Sequence, residues 1–247
     1  MAHEIDYKIH QSQNELLEIA LDPVEGVVTE TGSMIMMEEG IELLASVGDG
    51  SKREKGIFGK IIGSGKRMIT GEGLFMTKLV NNGTKRGNVV LSPGGTGSKI
   101  IPIDLSKTKE SFLCNKGHFL GAALGVNVGM NFRFRPLASF VGSAEIITQE
   151  LDGNGFAFLK SDGPVYYKRL QQGEKISIDQ HALVGFSSTV SYNIKFIKNI
   201  KSIFLAGEGL VLYEITGPGL IVLQGYNELE LKQREELDKR YKNIKDN

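Results

Sequence analysis

The sequence predicts an all-β protein made of three tandem strand-rich modules, followed by a short C-terminal α-helix. Three observations carry this expectation. Apolar residues alternate with small or polar ones at period two, most clearly over Leu124–Phe134, where Leu124, Val126, Val128, Met130, Phe132 and Phe134 are separated by Gly125, Asn127, Gly129, Asn131 and Arg133. Period two puts one set of side chains on a buried face and the other on a wet one. Glycine is abundant, 31 in 247 residues, against an average near 7%, and it is spread among apolar runs, as short strands with tight turns require. The third observation is repetition. Gly71-Glu72-Gly73-Leu74-Phe75-Met76 recurs as Gly153-Asn154-Gly155-Phe156-Ala157-Phe158 and as Gly207-Glu208-Gly209-Leu210-Val211-Leu212. Fixed recurrence of a supersecondary unit is the mark of a repeat architecture.

Each element follows from its local pattern. Leu17–Leu21, Ile101–Leu105 and Ile176–Asp179 alternate over short spans. Val190, Tyr192, Ile194 and Phe196 do so over a longer one. A second shared piece lies upstream of each G-x-G turn: Gly26–Ser33, Glu110–His118 and Gly173–His181, with one-residue slips. This divides the chain into module 1 at residues 15–97, module 2 at 98–163 and module 3 at 164–226. Module 1 is longer because it carries an insertion, Gly48–Met68. Residues 227–247 change character: charge dominates, and Leu237, Tyr241 and Ile244 fall at helical spacing, so a charged helix with a narrow apolar stripe is expected.

Composition bounds the function. Lys and Arg total 29, as do Asp and Glu, so no global field draws the chain to nucleic acid or acidic lipid, and any such binding needs a local patch. A lone cysteine, Cys114, excludes an internal disulfide framework and suits a reducing cytoplasm. Neither a secretory h-region nor a run of about 20 apolar residues is visible, so a cytoplasmic location is expected.

No motif specifies a reaction. Pro93-Gly94-Gly95-Thr96-Gly97-Ser98-Lys99 looks like a phosphate cradle, but the Gly-Lys adjacency of a P-loop is missing and a strand follows it. Gly63-Ser64-Gly65-Lys66-Arg67 fails as well, with Lys60 in place of the first glycine and Arg67 in place of the hydroxyl. Of the four histidines, His118 and His181 occupy matched positions where the first copy has Ser33. They read as turn histidines bonding backbone rather than metal ligands, for which the spacing is wrong. Cys114 sits in an apolar strand and reads as an inert thiol. Asn82-Gly83-Thr84 reads as a turn. No catalytic residue, no cofactor and no metal are expected, and the chain is read as a non-enzyme.

Four strings in register resemble a known family: Met68–Phe75, Val89–Gly95 followed by Lys99–Leu105, Ser111-Phe112-Leu113-Cys114, and Gly207–Val211. They resemble the family named for altered inheritance of mitochondria, over about residues 14–226. The resemblance implies modules with the fold of the tryptophan RNA-binding attenuation protein, a short double-stranded β-helix. It implies three modules per chain, chains assembled as ring-like homotrimers, and no established enzymatic activity. Open strand edges on so small a module agree with assembly, because such edges must be paired or covered.

One local feature is strongly charged. Lys52, Arg53, Lys55, Lys60, Lys66, Arg67, Lys78, Lys85 and Arg86 stand against Glu54 and Glu72 alone. Ile57, Phe58, Ile61, Ile62, Met68 and Ile69 fall near helical spacing between them, although four glycines each cost about 1 kcal/mol in a helix. Lys52, Arg53, Lys55, Lys60, Lys66 and Arg67 are therefore the candidate surface for an acidic membrane or a protein partner. Nucleic acid is the least favoured partner, since Phe58 and Phe75 are too few for base stacking. The leading expectation is a scaffold or interaction protein at or near the inner face of a membrane. The alternative is a small-molecule- or RNA-binding module of the attenuation-protein type.

Overall fold

A computed structural model describes residues 2–47, 75–108, 110–132, 147–196 and 211–225. In chain order the strands are β1 (Asp6–His10), β2 (Leu16–Leu21), β3 (Gly26–Glu30), β4 (Met34–Met37), β5 (Ile41–Val47), β6 (Phe75–Asn81), β7 (Gly87–Leu91), β8 (Lys99–Asp104), β9 (Phe112–Asn115) and β10 (Phe119–Ala123). They continue as β11 (Asn127–Phe132), β12 (Ile147–Asp152), β13 (Phe156–Ser161), β14 (Val165–Leu170), β15 (Lys175–Asp179), β16 (Leu183–Ser187), β17 (Ser191–Phe196), β18 (Val211–Thr216) and β19 (Gly219–Gln224). Among the described residues the only helical pieces are 3-10 turns at Leu105–Lys107 and Gln180–Ala182. The protein is all-β. The expected C-terminal helix at 227–247 and the insertion at Gly48–Met68 lie outside the described residues.

Four antiparallel sheets are formed, with orders β1-β2-β7-β4, β5-β6-β3-β10-β13-β8, β11-β12-β9-β16-β19-β14 and β15-β18-β17. Adding six to each label of the second sheet yields the third. The triplet β5-β6-β3 recurs as β11-β12-β9 and β17-β18-β15, and β2-β7-β4 recurs as β8-β13-β10 and β14-β19-β16. Only β1 stands outside this order. Even the irregularities recur: the register slips by one residue between Met34 and Met36, between Phe119 and Gly121, and between Leu183 and Gly185. A bulge at the same place in three strands bends each sheet the same way.

Side-chain pattern decides which faces are covered. In β2, Leu17, Ile19 and Leu21 are fully buried and alternate with Leu16, Glu18 and Ala20, which are partly exposed. Burying each such side chain stabilises the fold by about 1.5–3 kcal/mol. β10, Phe119–Ala123, is buried at every position, and so does not alternate, as expected for a strand covered on both faces. One continuous core runs from Ile5 through Leu17, Phe119 and Phe158 to Val222. A second is built around Leu113, Phe186, Tyr192, Tyr213 and Ile215.

Three sequence-based expectations need correction. Leu124–Phe134 is not one strand: the chain turns at Leu124–Val126, with Gly125 at φ +100°, and β11 starts at Asn127. Alternation continued through the turn because Leu124 and Val126 flank a glycine rather than a break in polarity. The middle G-x-G, Gly153–Gly155, opens β13, whereas the first and third precede β6 and β18. By sheet order the counterpart of β6 and β18 is β12, so the middle copy of this string stands at a different place in the strand order. Finally, His118 and His181 are not matched. His118 directly precedes Phe119, and His181 stands two residues before Leu183, the position that pairs as Phe119 does. Gly32 and Gly117, at φ +87° and +89°, occupy the site of His181. The third turn replaces a left-handed glycine with a 3-10 turn, in which the Asp179 carboxylate accepts from the His181 amide at 2.8 Å.

Candidate functional site

Lys52, Arg53, Lys55, Lys60, Lys66 and Arg67 lie outside the described residues. The remaining candidates are accounted for by local structure. Cys114 is fully buried in β9, with Sγ 3.4 Å from the Asn115 carbonyl oxygen. Burial, with a smaller contribution from Glu30, pushes its thiol well above the ordinary range, so the nucleophilic thiolate is suppressed. His118 is buried, with Nδ1 2.9 Å from the Lys160 carbonyl oxygen. Among the described residues no three His, Cys, Asp or Glu side chains are placed to share a metal ion.

The glycine-rich loop before β8 is tied to its own chain. The Gly97 amide donates to Asn14 Oδ1 at 2.7 Å and the Gly94 amide to Ser92 Oγ at 3.2 Å. Lys99 Nζ is 3.3 Å from Glu15 Oε1 and donates to the Ser12 carbonyl at 3.2 Å. Donors that would face a phosphate are thus turned onto protein acceptors. Asn82–Thr84 lies in the loop between β6 and β7, as the turn reading expected.

What the structure brings together instead is a pair of strand joints. β3 pairs with β10, and β9 pairs with β16, each by three rungs of the same geometry. Glycine permits the close approach. A Cβ on Gly121 would stand 3.1 Å from the Val28 carbonyl oxygen, and one on Gly185 only 2.7 Å from that of Leu113. Lys160 of β13 reaches over β10 to form an ion pair with Glu30 of β3, which clamps the first joint.

Among the described residues two strands lack this neighbour. β4 is the terminal member of its sheet and so is β15. Their exposure departs from that of their counterparts. Ile35 is 54% exposed, while Leu120 and Val184 at the same place are fully buried. Met37 is 40% exposed, and its counterparts Ala122 and Phe186 are fully buried. On β15, Lys175 and Ser177 are exposed, whereas β9 is buried over Phe112–Cys114. Leu43 and Leu44 on β5 are exposed as well. Sequence reasoning passed over this surface. The signal was the run Met34-Ile35-Met36-Met37, four apolar residues without alternation in a strand that has a wet face.

These joints and edges define an all-β protein of linked antiparallel sheets with recurring strand order, in which, among the described residues, β4 and β15 lack the neighbour that their counterparts have. The chain belongs to the family described as Mitochondrial biogenesis AIM24, whose model matches residues 7–226. Among solved structures, the crystal structure of protein SPYM3_0169 from Streptococcus pyogenes is similar to it, with a TM-score of 0.69 at 25% sequence identity over 96% of this chain and 100% of that one. Comparison with curated proteins gives no match. Among the described residues no helix is long and apolar enough to cross a membrane.

Proposed function

We propose that this chain is a non-enzymatic scaffold or interaction protein that works as a ring-like homotrimer. In this reading residues 15–97, 98–163 and 164–226 are three tandem modules of the attenuation-protein type. The observation that carries it is the contrast at Ile35 and Met37: both are exposed where every internal counterpart is fully buried. Apolar side chains and unpaired strand groups at a sheet edge are a template for another chain. The recurring strand order supports the modular division, because each module spans one full cycle of it. Size-exclusion chromatography with light scattering is the direct experiment. A trimer is expected, and a stable monomer at micromolar concentration overturns the assembly.

The second part of the proposal is a membrane-facing surface at Lys52, Arg53, Lys55, Lys60, Lys66 and Arg67. Its support is the local excess of basic over acidic residues between Lys52 and Arg86, since each basic residue near an anionic surface adds about 1 kcal/mol. Co-sedimentation with vesicles containing phosphatidylserine is expected, falling steeply with salt. Binding that survives change of all six residues to Gln sinks this part alone.

A further inference from the structure

Among the described residues, strands β4 and β15 are the members of the recurring order that lack the neighbour their counterparts have. The step that carries β3–β10 to β9–β16 would next join β15 to a strand in the place of β4. We infer that β15 of one subunit pairs antiparallel with β4 of a second copy of this chain, with Ile178 opposite Met36, Ser177 opposite Met37 and Ile176 opposite Glu38. This rests on the self-assembly reading above and names its joint.

The register comes from the two internal joints. In the first, Thr29, Val28 and Val27 face Gly121, Ala122 and Ala123. In the second, Cys114, Leu113 and Phe112 face Gly185, Phe186 and Ser187. Each continues with the same further rung: the Leu124 amide donates to the Gly26 carbonyl at 2.8 Å, and the Ser188 amide to the Ser111 carbonyl at 2.9 Å. Carried one step on, this rung sets the Glu39 amide of the second copy on the Lys175 carbonyl. Glu39 and Lys175 are both exposed, and the rung places opposite charges directly across the joint, an arrangement that stabilises strand pairs. The contact is head to tail, so it is not a two-fold dimer contact, and it forms the ring proposed above where the rotation closes after three copies.

One rung differs from its templates. A Cβ would be tight against the partner carbonyl at Gly121, 3.1 Å away, and would clash with it at Gly185, 2.7 Å away, and Met36 brings one. The joint between subunits is therefore wider there than those inside the chain, and it is the weaker of the three. Removing that side chain strengthens it.

The test uses the full chain. Glu39→Lys or Lys175→Glu each weakens assembly about tenfold, and the double exchange restores it to within about threefold. Met36→Gly tightens assembly severalfold. Met37→Cys and Ser177→Cys chains are also prepared, with buried Cys114 left in place. Under mild oxidation each variant alone stays uncrosslinked, while the two co-expressed yield a disulfide-linked pair. Were Met37→Cys to crosslink with itself, the contact would be two-fold and the inference wrong. Light scattering that shows an oligomer, with no crosslink in the mixture and no rescue by the charge exchange, overturns this joint and leaves self-assembly standing. A monomer overturns both.

Discussion

Asn81 Nδ2 donates to the Leu21 carbonyl oxygen at 2.8 Å and so ties the end of β6 to the end of β2, sixty residues earlier. The same amide donates to the Lys85 carbonyl at 2.8 Å, and its Oδ1 accepts from the Gly83 amide at 3.0 Å. The side chain is fully buried. Asn81→Leu leaves two carbonyls and an amide without their partner, each costing about 1–3 kcal/mol where water cannot replace it. A loss of about 2–4 kcal/mol in urea denaturation is expected. A loss below about 0.5 kcal/mol would show that water enters and satisfies these groups.

The two internal joints differ in tolerance. A methyl at Gly185 meets Phe112 Cε1 at 2.6 Å and the Leu113 carbonyl at 2.7 Å, whereas one at Gly121 meets nothing nearer than 3.1 Å. Backbone cannot yield as a flexible side chain can, so Gly185→Ala costs about 1–3 kcal/mol by overpacking. Gly121→Ala costs less. Equal effects in thermal denaturation would contradict the closer approach of β9 to β16.

Cys114 reports on unfolding. It is fully buried and its thiol is held protonated by burial. At pH 8 a disulfide reagent should react with the native protein at least about a thousandfold more slowly than with a free thiol, because only opened molecules present the sulfur. The rate should rise with denaturant in step with unfolding. Fast labelling of the native chain would show that β9 opens locally.

Tyr213 predicts an alkaline limit. Burial, then Tyr192 and Asp179, pushes its phenol up to about 12 from the ordinary 10.0. A raised value in the folded state means that the unfolded chain loses the proton first. The stabilisation is complete below about pH 10 and disappears as pH rises towards about 12. Melting temperature should fall across this window, and Tyr213→Phe should flatten the fall. An unchanged profile in Tyr213→Phe would place the alkaline transition elsewhere.

The strands with one wet face were legible. β2 and β17 announce themselves by alternation, because each has one buried side and one exposed side. β10 carried no such signal: Phe119-Leu120-Gly121-Ala122-Ala123 is apolar throughout, and nothing local reveals that β3 and β13 flank it. The string around Gly153 misled because a two-glycine turn before an apolar strand serves any hairpin. Similar strings therefore recur at non-equivalent places. The exposed run on β4 was visible in sequence but had no meaning until its counterparts were seen buried.

By itself the sequence determined the all-β class, the glycine-rich turns, the inertness of Cys114 and the membership of a family, since period, composition and short strings are properties of neighbouring residues. Tertiary structure decided which strands are neighbours, that Lys160 reaches Glu30, and that β4 and β15 have, among the described residues, no strand in the place their counterparts fill. Those are long-range facts. Strand pairing joins residues tens of positions apart through backbone groups that every residue shares, so side-chain order alone does not encode the partner.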